Sequence, residues 1–142
     1  MQLKFLARSE NEVFARNAVA AFALSLNPTL AQLSDVKTAV SEAVTNSIVH
    51  GYTDKEGWIR ISCKTDENFL HIEISDSGKG IDDVEKAQQP FFTTASEEER
   101  SGMGFTIMQT FMTKFSLQSG KGEGTTVRME KNFGDKAGID AR

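Results

Sequence analysis

The sequence predicts an α+β fold, a two-layer sandwich with helices packed on one face of a mixed, mostly antiparallel sheet. Three patterns carry that prediction. Two helical stretches fill most of residues 9–51. Two alternating segments, Trp58–Thr65 and Phe69–Asp76, are separated only by the turn Asp66-Glu67-Asn68, which makes them antiparallel neighbours. A third helical stretch, from about Gly104, precedes two further strands around the glycine-rich turn Gly120-Lys121-Gly122-Glu123-Gly124.

Each element has its own signal. Leu3, Phe5 and Ala7 alternate with Gln2, Lys4 and Leu6, so a short strand opens the chain. Ser9 and Glu12 have the spacing of a capping box, in which each side chain satisfies a free backbone N–H at a helix start. The helix behind it, about 10–26, carries Phe14, Ala18, Ala21 and Phe22 at helical spacing. Asn27-Pro28 ends it, because proline disfavours helical geometry in the residue before it. A second helix, about 29–50, is expected to stop at Gly51. Ile59, Ile61 and Cys63 form one face of the next strand, and Leu70, Ile72 and Ile74 one face of its partner. His71 falls on the polar side, beside Glu73.

Residues 77–104 break the pattern, with four of the eleven glycines, one of the two prolines and the acidic run Glu97-Glu98-Glu99. Such a long irregular stretch is usually a functional loop or a disordered one. A short helical patch is expected over 83–88. In the third helix, Phe105, Met108, Phe111, Met112 and Phe115 mark the buried side, a stripe that reads as core packing. The closing strands are 115–119 and 125–131. A single domain is expected over 1–131, with 132–142 a frayed tail.

Composition narrows the function. A length of 142 residues is enough for one real core. A net charge of -4 without a dense basic run weighs against nucleic acid as the partner. No segment approaches the ~18 apolar residues of a membrane span, and the first residues lack a signal-peptide run. The single cysteine, Cys63, fits a reducing compartment, so a cytoplasmic protein is expected. Zinc spacing, a P-loop, a dinucleotide fingerprint, a G-x-S-x-G elbow and the motifs of the common protein-kinase fold are all missing.

Four features suggest chemistry. Glu42, Asn46 and His50 lie four residues apart and drift only ~80° around a helix, so they share one stripe. Leu33, Val36, Val40 and Val44 form another stripe on roughly the opposite side. The polar stripe is either a solvated face or a pocket wall. Glu42 and Asn46 also suit Mg²⁺, with the amide oxygen on the metal and the carboxylate free as a base. Asp76 continues the apolar face of its strand, where an unpaired charge is costly. It either caps a turn at the strand end or forms a pocket floor that accepts from an amino group such as that of adenine. Gly78 and Gly80 would let the backbone pass close to a flat ring. Gly102 and Gly104 open a helix, either as an ordinary start or as a phosphate site of free N–H groups.

In order along the chain, these motifs resemble the ATP-binding fold shared by gyrase, histidine kinases, MutL and a class of heat-shock chaperones, the Bergerat-type fold. Glu42 and Asn46 look like its N box, Asp76-x-Gly78-x-Gly80 its first glycine box and Gly102-x-Gly104 its second. Gly124-Thr125-Thr126 looks like its final threonine motif. The runs A-R-S-E-N-E, V-S-E-A-V-T-N, P-F-F-T-T and E-R-S-G-M-G-F-T-I-M further resemble the bacterial anti-sigma factors that are also serine kinases, the anti-sigma F type of spore-forming bacilli in particular.

That resemblance implies a set of roles. Glu42 would orient or deprotonate a substrate serine, and Asn46 would hold Mg²⁺ against the phosphates. Asp76 would recognise adenine, with Gly78 and Gly80 beside it and Thr126, or else Thr125, supporting that end. Arg100 would reach the γ-phosphate. Residues 90–104 would form a lid over ATP or ADP, with Thr93, Thr94, Gly102, Met103, Gly104 and Phe105 near the phosphates. Glu12 and Arg16 would belong to a surface for protein partners, a sigma factor and an anti-anti-sigma protein. The first strand would pair two subunits as a homodimer; His50 has no comparable role in the family and reads as structural. A stress-response anti-sigma kinase and an isolated histidine-kinase-like module are the alternatives.

Overall fold

The computed structural model describes residues 1–52, 56–89 and 103–134. Its strands are β1 (Gln2–Leu6), β2 (Trp58–Asp66), β3 (Phe69–Asp76), β4 (Lys114–Ser119) and β5 (Thr125–Asn132). They form one sheet in the order β1-β2-β3-β5-β4, and every described pair is antiparallel. Among the described residues the helices are α1 (Ser9–Ala23), α2 (Leu30–Asn46), α3 (Val84–Ala87) and α4 (Gly104–Phe111). A 3₁₀ turn, Leu24–Leu26, follows α1, and a π turn, Ser47–Gly51, follows α2.

Strict alternation builds the core. Ile59, Ile61, Cys63, Leu70, Ile72, Ile74, Val127 and Met129 are each at most 3% exposed and share one face of the sheet. They belong to the same cluster as Val36, Val40 and Val44 of α2, Ala15, Val19 and Ala23 of α1, and Met108 of α4. Full burial of each Ile, Leu or Val side chain contributes roughly 1.5–3 kcal/mol. The other face of the sheet is polar, with Arg128 paired to Glu73 at 2.8 Å and His71 Nδ1 2.7 Å from Glu130.

Three details depart from expectation. The capping box at Ser9 does not form: Arg8 is the N-cap residue and makes no side-chain cap bond. Glu12 turns instead toward Arg16 and Ser41. A capping box occurs at α2, where Thr29 Oγ1 accepts from the Gln32 N–H and Gln32 Oε1 accepts from the Thr29 N–H. Second, α1 buries a row of small residues that lets it lie close on α2, and Phe14 is left 57% exposed. Third, the tail does not begin at Asn132. β5 runs through that residue, and Phe133 is 1% exposed with its N–H donating to the Asn68 carbonyl at 2.8 Å. Residues 135–142 lie outside the described residues.

The core sets up the site by bringing three chain segments to one end of the sheet. These are the end of α2, the loop after β3 and the hairpin between β4 and β5.

Candidate functional site

The site begins where α2 changes pitch. Tyr52 N–H donates to the Ser47 carbonyl at 3.1 Å, an i→i+5 bond that widens the last turn. The widened turn brings Ser47 and Gly51 against the end of β3. Ser47 Oγ donates to Asp76 Oδ2 at 2.6 Å, and the Gly78 N–H donates to Asp76 Oδ1 at 2.9 Å. The helical stretch ends at Gly51, as expected, and the glycine also gives clearance. A Cβ at that position would sit 3.3 Å from both carboxylate oxygens of Asp76.

Glycines then pack backbone on backbone. The Lys79 N–H donates to the Gly51 carbonyl at 3.0 Å, and a Cβ on Gly78 would lie 2.4 Å from that oxygen. Gly80 has φ +75°, and a Cβ there would stand 1.8 Å from the Gly120 carbonyl oxygen. Ser119 joins the hairpin to the loop: its Oγ accepts from the Ile81 N–H and donates to the Gly124 carbonyl, each at 2.8 Å. That uses its only proton, so the 2.8 Å bond between Ser119 and Thr125 has the Thr125 hydroxyl as donor.

One residue before Ser47, Asn46 closes α2 with a buried amide Nδ2 that has no hydrogen-bond partner among the described residues. One helical turn earlier, Glu42 borders a groove of about 430 Å³ with Arg16, Leu30, Leu33, Ser34, Lys37, Thr38 and Ser41. Glu12, 9% exposed, joins two of these lining residues, accepting from Ser41 Oγ and pairing with Arg16 at 2.9 Å.

The profile of the histidine kinase-like ATPase domain matches residues 5–131. The chain is 58% identical to the anti-sigma F factor of Thermoanaerobacter sp. strain X514, covering 94% of each chain. It is 54% identical to the anti-sigma F factor of Clostridium botulinum strain Eklund 17B, again over 94% of each. The chain belongs to the anti-sigma F factor family of histidine kinase-like ATPases. The crystal structure of the RsbU and RsbW domains of Rv1364c from Mycobacterium tuberculosis shares the fold, with a TM-score of 0.63 at 15% identity. That match covers 93% of this chain and 32% of the other.

In an ATPase of this family, the described residues fit the groups expected. Among them no cluster of three or more His, Cys, Asp or Glu could cage a metal. Mg²⁺ takes one or two protein oxygens and completes its shell with phosphates and water. A metal there would take the Oδ1 end of the Asn46 amide, because the unpartnered Nδ2 is a donor and cannot ligate a cation. Asp76 fits an amino group, because an ionised carboxylate can only accept.

The expected residues fall into three sets. Glu42, Asn46, Asp76, Gly78 and Gly80 lie along the α2 end and the loop after β3. Met103 is the N-cap of α4 without a side-chain cap bond, and Gly104 opens that helix. Phe105 packs its ring against Phe115, centroids 6.0 Å apart. Thr93, Thr94, Arg100 and Gly102, with most of the expected lid, lie outside the described residues. Register separates Thr126 from Thr125. It pairs with Ser75 on the polar face, whereas Thr125 pairs with Asp76 on the helix-covered face and is the threonine beside the carboxylate. Ser47, Gly51 and Ser119 were not foreseen; the only signal for Ser47 was its place beside Asn46.

Proposed function

We propose that this chain is an ATP-dependent anti-sigma factor and protein serine kinase. It sequesters a sporulation sigma factor of the F type when ATP is bound. It phosphorylates its anti-anti-sigma protein on serine and so inactivates it. The reading rests above all on Asp76, a carboxylate on the apolar side of the sheet held by Ser47 and Gly78 with only acceptor capacity left over. The 58% identity to an anti-sigma F factor over 94% of both chains supports the same conclusion.

Phosphoryl transfer needs mainly positioning and charge neutralisation. Asp76 holds the adenine amino group, and Asn46 holds Mg²⁺, which would neutralise phosphate charge when bound. Glu42, beside the groove, orients the serine hydroxyl and takes its proton. Arg100 meets the γ-phosphate, and the segment 90–104 with Thr93, Thr94 and Gly102 covers the nucleotide. Because ATP and ADP differ at that phosphate, a lid that touches it can distinguish them. Glu12 and Arg16 border the protein-binding surface, and two copies pair through β1. No described helix is long and apolar enough to cross a membrane, and the protein works in the cytoplasm.

The test is incubation with labelled ATP and a candidate anti-anti-sigma protein. The Glu42→Ala variant should bind ATP within about threefold of the parent chain and transfer phosphate at least ~100-fold more slowly. Equal loss of binding and transfer would remove Glu42 from its role. Nucleotide binding without any serine-linked label on the partner would remove the kinase activity. Sigma capture with ATP, compared across several purified sigma factors, identifies the partner.

A further inference from the structure

We infer that Ser47 is a positioning residue that sets the selectivity of this site for adenine. The inference rests on the ATP reading above and concerns how Asp76 is aimed. A carboxylate on a single χ2 bond rotates freely unless both its oxygens are held. Here each oxygen is held from a different element. Gly78, in the loop after β3, fixes Oδ1 through its N–H, and Ser47, in the π turn after α2, fixes Oδ2 through its hydroxyl.

The Ser47 hydroxyl has one proton, and at 2.6 Å it is committed to Asp76. Its residue is 6% exposed, so water does not substitute easily. Each carboxylate oxygen keeps further lone pairs, and the plane in which they point is set by these two donors. An exocyclic amine meets such a plane as a donor. A ring carbonyl at the same place meets it as a second acceptor and is rejected. Gly78 acts through its backbone and keeps its bond in any side-chain variant of Ser47. Removing the Ser47 hydroxyl therefore leaves the carboxylate, which turns as a unit about Cβ–Cγ, held at Oδ1 alone, so its aim loosens while its charge is kept.

The experiment compares ATP with inosine triphosphate, which carries a carbonyl where adenine carries its amine. Binding of both is measured by titration calorimetry for the parent chain, Ser47→Ala and Ser47→Thr, with folding checked by thermal melting. The parent should prefer ATP. Ser47→Ala should lose about tenfold in ATP affinity, roughly the worth of one hydrogen bond to a charged group, while binding of inosine triphosphate stays within about twofold. Ser47→Thr, which keeps the hydroxyl, should keep the parent's preference. If Ser47→Ala weakens both nucleotides equally, Ser47 is only structural and the inference is overturned. If the parent binds ATP no better than inosine triphosphate, the adenine reading of Asp76 itself fails, a separate result. Should Ser47→Ala not fold, Ser47→Cys makes the same comparison with a weaker donor, and an unchanged preference there also overturns the inference.

Discussion

Cys63 shows how far burial alone can change a residue. It sits on the core face of β2 at 3% exposure, and desolvation pushes its thiol from 9.0 up to about 11, with the chain's amino terminus pulling slightly the other way. The unfolded thiol begins to lose its proton near pH 9, while the folded one keeps it until about pH 11. The stabilisation is therefore complete below pH 9 and lost as pH rises through 11, about 2–3 kcal/mol in all. Urea unfolding of the parent and of Cys63→Ala over that range should show a steeper decline in the parent; parallel curves would exclude it. At this scale the sequence revealed Asp76 and Cys63, because counting in twos along a strand needs no partner. It did not reveal Ser47 or the choice of Thr125 over Thr126. Those depend on a π turn and on the pairing of β3 with β5, neither of which has a local pattern.

Elements were legible where periodicity was long and strong, and their ends were not. β2, β3 and the start of α4 fall where alternation and helical spacing put them. The Ser9 cap failed because Glu12 has a better use, bridging α1 to Ser41 of α2 beside Arg16. The glycines that clasp the loop after β3 to the β4–β5 hairpin were visible, but not which of them matter for space. Gly80 and Gly122 both have positive φ, and only Gly80 has a backbone oxygen where its Cβ would go. Gly122→Ala should cost about 1–2 kcal/mol from its backbone conformation alone. Gly80→Ala should cost at least about 3 kcal/mol, since the hairpin must also move. Equal denaturation midpoints for the two variants would contradict the clasp.

For the whole molecule, the predicted sandwich and its single core were legible, and the segments that complete the site came from three separated regions. β1 lies at one edge of the sheet. Met1 and Cys63 exchange both backbone bonds at 2.9 Å, so by alternation Leu3 and Phe5 also point their N–H groups at β2. Lys4 then points its N–H outward. Lys4→Pro removes an outward donor without breaking the ladder to β2. On the proposed pairing through β1, the parent should sediment at twice 15.6 kDa and Lys4→Pro as a 15.6 kDa monomer, with its melting otherwise preserved. A variant that stays dimeric would exclude pairing through this edge. The order of strands also bears on synthesis. Among the described residues β5 is the last strand to be made, yet it lies inside the sheet between β3 and β4, with Phe133 behind it in the core. On the ribosome, β3 and β4 therefore wait with unpaired edges until β5 emerges. Thr125 pairs with Asp76 in the same docking step, so the end of the sheet that holds Asp76 is completed only when the sheet is closed.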